Sequence, residues 1–257
     1  MMTKMTDPIP VSVVFDAGAR RLPDGRIRLR SNPRGMALGS LLLAGVLGVG
    51  VLPAQAADIK LYETGPAEDS SFVRFVAASA DPVDLTAAGS QAKIVLTPAS
   101  PATGFFPIRA NSDIKGTFNA KGARSDVSLK VKPGEFASVV VQGDSKGLTQ
   151  TIVREEPDDF NALKVSVGLF NTDKRCANAA LQVAGRTTLL VDAVAPGTVK
   201  RRSVNPVNIG VRLMCDGKPA GEPLPLGQLQ AGERYSVFAV PDGQGTRIIF
   251  ANDAVAR

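Results

Sequence analysis

The chain has 257 residues, two cysteines, no histidine and no tryptophan. Without histidine it cannot form a Ser-His-Asp or Cys-His nucleophile pair, and it lacks the commonest zinc ligand. Of the net charge of +6, residues 1–56 supply +4, from seven Lys/Arg and three Asp. The remaining residues hold 23 basic and 21 acidic side chains, and this net charge of +2 gives no electrostatic basis for binding nucleic acid.

The first predicted element is a secretory signal peptide. An Arg-rich segment at residues 26–34 precedes an uncharged run at residues 36–57, as in the charged and apolar regions of such peptides. Ala54 and Ala56 provide the small residues needed before a cleavage site, so we predict cleavage between Ala56 and Ala57. The apolar part of the run has 16 residues. Because a membrane span needs roughly 20 residues, we favour cleavage over a retained anchor. The sequence therefore predicts an exported protein, located in the periplasm.

The rest of the chain has the pattern of strands and turns. Short apolar and β-branched runs are bounded by Gly, Pro, Asn and Asp, and no stretch keeps a helical i, i+3, i+4, i+7 pattern over 12 residues. The predicted strands are 72–78, 93–96, 113–118, 125–131, 136–142 and 150–154, followed by 164–170, 180–183, 187–191, 207–214, 234–240 and 246–250. Their spacing is typical of β-sandwiches.

A break in this pattern divides the strands into two groups. Residues 154–161 are acidic and contain Pro157, so they cannot supply a buried strand. We predict a first β-sandwich domain at 57–154, a linker at 155–163 and a second β-sandwich domain at 164–257. The predicted fold class is therefore all-β, with two tandem β-sandwich-like domains.

The two predicted domains share a repeated segment. Residues 131–147 align without gaps on residues 229–245, with six of 17 positions identical at a constant offset of 98. Ser138 and Ser236 are one of the identical pairs. An offset close to the length of a domain favours duplication over chance similarity of turns, and predicts two similar sandwiches.

Cys176 and Cys215 both lie in the second domain. We predict that they form a disulfide, because the periplasm is oxidising. A metal pair or a redox site are the alternatives, but the spacing is far from Cys-x-x-Cys and no histidine is present to complete a ligand set. Closing a loop of about 40 residues would stabilise the fold by roughly 3 to 4 kcal/mol in the chain-entropy model.

Paired carboxylates remain as candidates for glycosidase chemistry, which needs two of them. Their surroundings are polar and would not raise a pKa, so we interpret them as solvated and predict no catalytic residue. The sequence also has no Gly-rich phosphate loop before a helix, and we expect neither a cofactor nor a bound metal. The candidate carboxylates are Glu63, Glu68-Asp69, Glu155-Glu156 and Asp158-Asp159.

Two basic clusters, Lys174-Arg175 and Lys200-Arg201-Arg202, stand out in the second domain. They could contact an anionic polysaccharide or an acidic partner, or they could be solvated loop residues. Because tryptophan is absent and Tyr62 and Tyr235 are the only tyrosines, a platform for stacking sugars is weakly supported.

Several motifs, taken in order along the chain, resemble the AlgF family. The first has Leu-Tyr at 61–62, a Pro at 66 and Ser-Ser-Phe-Val-Arg at 70–74. The second is Leu-Phe-Asn-Thr-Asp-Lys at 169–174. The third is Val-Ala-Pro-Gly at 194–197, followed by Arg-Ser-Val-Asn-Pro-Val at 202–207.

The resemblance implies a non-catalytic periplasmic adaptor required for O-acetylation of an exopolysaccharide, most directly alginate. Its implied partners are periplasmic O-acetyltransferases, which carry their own Ser-His-Asp residues, and membrane-bound acetyl-transfer machinery. The alternatives are a carbohydrate-binding module that contacts the anionic polysaccharide directly, and a histidine-independent glycoside hydrolase or lyase. The candidates for a partner or polymer surface are Arg74, Lys200, Arg201, Arg202 and Asn205.

Overall fold

A computed structural model describes residues 70–144, 147–156, 161–243 and 245–256. All regular structure in these residues is β, and none of it is a helix with the length and hydropathy of a membrane span. The predicted signal peptide, the cleavage site at Ala56 and Ala57, and the part of the first motif before residue 70 lie outside the described residues.

The first eight strands form two four-stranded sheets. The inner sheet has the order β4-β1-β7-β8 and the outer sheet the order β3-β2-β5-β6. The strands are β1 (Ser70–Ala78), β2 (Val83–Ala87), β3 (Lys93–Leu96), β4 (Phe106–Arg109), β5 (Ile114–Ala120), β6 (Ala123–Leu129), β7 (Phe136–Asp144) and β8 (Gly147–Glu155). We call this pair of sheets the first sandwich.

The next eight strands form the second sandwich. Its inner sheet has the order β12-β9-β15-β16 and its outer sheet the order β11-β10-β13-β14. The strands are β9 (Val165–Asn171), β10 (Ala179–Val183), β11 (Leu189–Val194), β12 (Thr198–Val204), β13 (Asn208–Cys215), β14 (Lys218–Gln228), β15 (Arg234–Asp242) and β16 (Gly245–Asn252).

The two sandwiches have the same topology, strand for strand. Adding eight to each strand number of the first sandwich reproduces both sheet orders of the second. Each inner sheet is built on one parallel pair, β1 with β7 and β9 with β15. In these pairs Arg74 lies opposite Ser138, and Gly168 lies opposite Ser236. The predicted all-β fold of two tandem sandwiches is confirmed, and the matching topology agrees with the repeat in the sequence.

Four strands are missing from the sequence prediction: β2, β4, β12 and β14. Three of them are edge strands, which have a partner on one side only. β4 contains Pro107, β14 contains three prolines, and β12 contains the run Lys200-Arg201-Arg202. Edge strands tolerate prolines and charges because one row of their backbone groups faces away from the sheet. The rules that identify central strands therefore miss them.

The parallel pair at the centre of each inner sheet is buried on both faces. Along β9 every residue is buried, with Val165, Val167 and Leu169 in the core of the second sandwich. Phe170 instead joins a third cluster that contains residues of both inner sheets. Its buried members are Val76, Ala78, Val140, Val153, Phe170, Phe238, Val240 and Ile249. We call this contact between the two inner sheets the seam. Because both faces of the parallel pairs are covered, their sequences read as continuous apolar runs rather than alternating ones.

Candidate functional site

A fully buried arginine lies in the seam. Arg74, in β1, has no exposed surface. Its Nε donates to Ser138 Oγ at 2.8 Å, Nη1 donates to Asp253 Oδ1 at 2.5 Å, and Nη2 donates to Ser236 Oγ at 2.7 Å. Ser138 belongs to the first sandwich and Ser236 to the second, so one guanidinium joins the two identical serines of the repeat.

Asp253 and Arg201 extend this arrangement. Asp253 follows β16 and accepts from Arg74 on one oxygen and from Arg201 Nη2, at 2.6 Å, on the other. Arg201 also forms a bidentate pair with Glu155, at 2.9 Å from Nε and 2.9 Å from Nη2. Arg74 and Glu155 come from the first sandwich, whereas Arg201 and Asp253 come from the second. Two buried ion pairs therefore cross the seam, and we call these four residues the seam cluster.

Aromatic rings surround the guanidinium of Arg74. Its Cζ lies 4.4 Å from the ring centroid of Phe105, 5.0 Å from that of Phe170 and 4.7 Å from that of Phe238. A cation over an aromatic face is attracted by the ring quadrupole, most strongly where water is excluded. The rings therefore offset part of the cost of burying the charge.

One carboxylate of the seam cluster, that of Asp253, is held in its ionised form. Burial by itself raises the pKa of Asp253, but the charges of Arg74 and Arg201 and the hydrogen bond from Ser236 outweigh it and hold this pKa below its ordinary value. Burial likewise lowers the pKa of Arg201, but Glu155 and Asp253 reverse the effect and raise it. Asp253 and Arg201 are thus held in their charged forms.

The residues after Asp253 also join the sandwiches. The backbone N–H of Phe105 donates to Ala254 O, and the N–H of Ala256 donates back to Phe105 O, both at 2.8 Å. A Cβ on Gly104 would lie 2.8 Å from Ala254 O, so this approach requires a glycine. The end of the chain therefore pairs with the first sandwich after completing the second.

A polar contact crosses the seam away from the ion pairs. Gln142, in β7, donates from Nε2 to both the carbonyl and the hydroxyl oxygen of Thr172, each at 3.0 Å. Thr172 belongs to the second family-like motif, at 169–174.

The next residue of this motif, Asp173, is buried and pairs with Arg175. Arg175 also donates to the carbonyls of Gly243 and Gly245 in the β15–β16 hairpin. This motif therefore has a structural role in the second sandwich and at the seam.

Cys176 and Cys215 form a disulfide with a Cα–Cα distance of 5.1 Å, as predicted. The bond connects the loop after β9, in the inner sheet, to the end of β13, in the outer sheet. Asn171 donates to the carbonyl of Cys176 at 2.7 Å and fixes the same loop from inside. The disulfide thus links the two sheets of the second sandwich, and the first sandwich has no such bond.

Two residues predicted to lie on a partner or polymer surface are instead buried. Arg74 is fully buried, and the side chain of Arg201 is 7% exposed. Both are committed to carboxylates of the seam cluster, which satisfy charges that would otherwise be costly to bury. The interpretation of Glu155 as a solvated linker residue was also wrong, because it ends β8 and its side chain is 8% exposed beside Arg201 and Arg234.

The other predicted surface residues are exposed. Lys200 and Arg202 lie on the edge strand β12, and Arg202 Nη1 donates long hydrogen bonds of 3.4 Å to the carbonyls of Leu189 and Leu190. Asn205 follows β12 and accepts from Lys164 Nζ at 2.6 Å. The structure does not bring these three residues to the seam cluster, and their role at a partner surface stays a prediction.

Sequence reasoning missed Asp253, Ser138 and Ser236 as parts of one cluster. A signal for the buried arginine was present, since Arg74 is a single charge inside the apolar run Phe-Val-Arg-Phe-Val at 72–76. The two serines were visible as identical positions of the repeat. Asp253 had no signal, because it lies in a short segment without strand or turn pattern after the last predicted strand.

Fold and site together define a double β-sandwich protein with structural buried charges. Among the described residues, buried charges outside the Arg201–Glu155 pair are also held by ion-pair partners: Arg74 by Asp253, Glu135 by Arg154, and Asp173 by Arg175. Tyr235 is also buried, with its ring stacked on Phe250, so it offers no platform for a sugar.

The chain belongs to the family described as Alginate O-acetyl transferase AlgF, whose model matches residues 44–236. Curated relatives include the alginate biosynthesis protein AlgF of Pseudomonas fluorescens, 28% identical over 88% of this chain and 97% of the relative. The protein of the same name from Pseudomonas syringae pv. tomato is 26% identical over 83% of this chain and 90% of its own. A solved C-terminal domain of AlgF from Pseudomonas aeruginosa covers 35% of this chain and 98% of its own, at 21% identity and a TM-score of 0.29.

Proposed function

We propose that this protein is a non-catalytic periplasmic accessory factor for O-acetylation of an exopolysaccharide, with alginate as the first candidate. In this role it binds periplasmic O-acetyltransferases and connects them with the membrane-bound machinery that supplies acetyl groups. The relatives are named for alginate biosynthesis, and the family description names O-acetyl transfer. The proposal rests on this family membership together with the absence of histidine from the chain.

The chemistry of acetyl transfer supports a non-catalytic role. Serine acyltransferases need a general base beside the hydroxyl, which is most often histidine, and an oxyanion site. The 257 residues contain no histidine. The buried charges of the described residues are neutralised in pairs that hold strands and sandwiches together. Catalysis would then belong to the partner enzymes, and this chain would supply a rigid surface for them.

Export supports the location. An Arg-rich segment, an uncharged run and a small-residue cleavage site precede the strands, and the cysteines are joined in a disulfide, which an oxidising compartment favours. The acetyltransferases implied by the resemblance act in the same compartment.

The test has a genetic and a biochemical part. Deleting the gene is expected to lower the acetyl-ester content of the secreted polysaccharide without stopping polymer synthesis. The purified chain, given an acetyl donor and deacetylated alginate, is expected to transfer no acetyl groups. Acetyl transfer by the purified chain alone would overturn the non-catalytic role.

The partner is tested by binding. The tagged chain, isolated from the periplasm of its host, is expected to retain an O-acetyltransferase, identified by mass spectrometry and then titrated in purified form. Parallel titrations use acetylated and deacetylated alginate. Alginate binding with no retained protein would instead support a carbohydrate-binding module.

A further inference from the structure

The outer sheet of the second sandwich has a polar row on its exposed face. Leu189, Gln182 and Arg212 are register partners across β11, β10 and β13. The neighbouring pair Leu181 and Leu213 is buried in the core, so the row points the opposite way, to the outside. Here the sheet has a shallow depression lined by Gln182, Gly185, Arg186, Thr187 and Arg212.

Two arginines without a carboxylate partner line this depression, and a third lies at the strand edge beside it. Within the part of the chain that the structure describes, only Arg109, Arg186, Arg202 and Arg212 among the arginines have no Asp or Glu oxygen within 4.0 Å. Arg186 and Arg212 line the depression, and Arg202 reaches the carbonyls of Leu189 and Leu190 beside it. We call Gln182, Arg186, Leu189, Arg202 and Arg212 the arginine face.

One donor of the arginine face is unsatisfied. Arg212 Nε is buried and has no hydrogen-bond partner among the described residues. A buried donor without a partner destabilises the free protein by the cost of its desolvation, and a shift of the Arg212 side chain onto a ligand oxygen would remove that cost. Carboxylates suit a guanidinium best, because two parallel N–H···O bonds match the geometry of both groups. The arginine face is therefore suited to an acidic ligand.

The composition of the face favours a protein over a polysaccharide. No aromatic side chain lines the depression, so a sugar ring would have no stacking surface. Leu189 is 40% exposed at the side of the arginines. Arginine is enriched among the residues that dominate protein interfaces, and apolar contact beside it excludes water from the charged pairs.

We propose that the arginine face binds an acidic segment of a protein partner, with carboxylates on Arg186 and Arg212 and an apolar side chain against Leu189. This rests on the proposed function and assigns the surface by which the protein binds an O-acetyltransferase. It places the docking surface on the outer sheet, on the side of the second sandwich opposite the seam.

The experiment compares the unmodified chain with two charge-reversal variants. The face variant carries R186E, R202E and R212E, and the control variant carries R109E, K115E and K218E. The control residues are also exposed and have no carboxylate within 4.0 Å among the described residues. Three substitutions in each variant change the net charge equally. A double variant, R186E with R212E, leaves Arg202 on its carbonyls in case the triple variant folds poorly. Unfolding midpoints establish that each variant is folded.

The probe is the purified periplasmic O-acetyltransferase of the same host, titrated into each chain at two salt concentrations. We expect the face variant to bind roughly tenfold or more weakly, because interface arginines commonly contribute that much. The control variant should stay within about twofold of the unmodified chain, since its charges lie outside the arginine face and would mainly change the rate of association. Binding of the unmodified chain should weaken as salt is raised.

The outcomes separate this proposal from the proposed function. If the face variant and the unmodified chain bound the acetyltransferase equally well, the proposed role of the arginine face would be overturned and the accessory role would stand. No binding by the unmodified chain would contradict partner binding itself, and the arginine face with it. If the face variant lost affinity for alginate but kept the acetyltransferase, the occupant would be a polyuronate and the proposal would be wrong.

Discussion

The two sandwiches share every strand of their topology but differ at the centre of their inner sheets. In the first sandwich the residue opposite Ser138 is Arg74, and in the second the residue opposite Ser236 is Gly168. The space beside Gly168 is filled by the guanidinium of Arg201, its register partner on β12. In the first sandwich Phe105 lies against Arg74 instead.

This difference shows how two similar folds become one unit. If Gly168 were also an arginine, its side chain would need the space that Arg201 fills and would add a third guanidinium to a buried contact that holds two carboxylates, which is costly. With arginine in one copy and glycine in the other, one guanidinium comes from each sandwich, from β1 and from β12. Asp253 accepts from both, and Glu155 accepts from Arg201. The seam is therefore specific for this pairing of unlike copies.

Replacing Arg74 with methionine is the most direct way to break the seam. The substitution keeps an unbranched apolar side chain but leaves Asp253 without its shortest ion pair and the two serines without their donor. Breaking a buried ion pair from one side costs about 3 to 5 kcal/mol. We expect a loss of this size in the free energy of unfolding, measured with urea.

Arg124→Met is the matched control, because the Arg124–Asp126 pair lies in the first sandwich with both side chains about two-thirds exposed. Its loss should change the free energy of unfolding far less, because solvent screens an exposed ion pair. Equal effects of the two substitutions would mean that the seam cluster contributes no more than a surface pair.

Acid should break the same pair without a mutation. The pKa of Asp253 is lower in the folded protein than its ordinary value, so its stabilising effect is complete above the unfolded pKa of about 3.9. It is lost as the pH falls through the lower folded pKa. We expect stability to be insensitive to this group from pH 7 to 5 and to fall below about pH 4. Asp253→Asn should be less stable at pH 7 and should lose part of the acid dependence, measured by thermal unfolding across pH.

Removing the disulfide tests whether the second sandwich depends on a covalent link that the first lacks. Cys176→Ala with Cys215→Ala opens a loop of 39 residues, worth roughly 3 to 4 kcal/mol in the chain-entropy model and often less in practice. Hydrogen exchange should show the loss of protection in β10 and β13, and much less in β2 and β5. A uniform loss across both sandwiches would show that the seam transmits the change.

The sequence was sufficient for every central strand except β2, and for the covalent link. The prediction at 93–96 coincides with β3, and the other eleven predicted strands each overlap an observed strand with one or both ends shifted. Apolar runs and Gly turns identify strands because one or both faces are buried. The missed edge strands β4 and β14 carry prolines in place of such runs.

The seam was beyond the reach of sequence patterns. Arg201 lies in a run with Lys200 and Arg202, and all three looked equivalent, yet strand alternation turns Arg201 toward the seam and leaves its neighbours exposed. Glu155 lies in an acidic stretch that resembled a linker. Local composition cannot show that a charge will meet an opposite charge on a strand 46 residues away along the chain. The fold creates that pairing.

Gly168→Ala tests the asymmetry between the copies with a single methyl group. A Cβ at this position would lie 3.0 Å from Cζ and Nη1 of Arg201, whose head is fixed by Glu155 and Asp253. Because the guanidinium cannot retreat without lengthening its ion pairs, we expect a loss of about 1 to 3 kcal/mol in urea unfolding, as for overpacked cores. Gly210→Ala is the control, since its Cβ would meet Ala184 Cβ at 3.4 Å in the same sandwich. That change should be neutral or slightly stabilising. If alanine at 168 were tolerated as well as alanine at 210, the glycine would be a neutral difference between the copies and Arg201 would not depend on it.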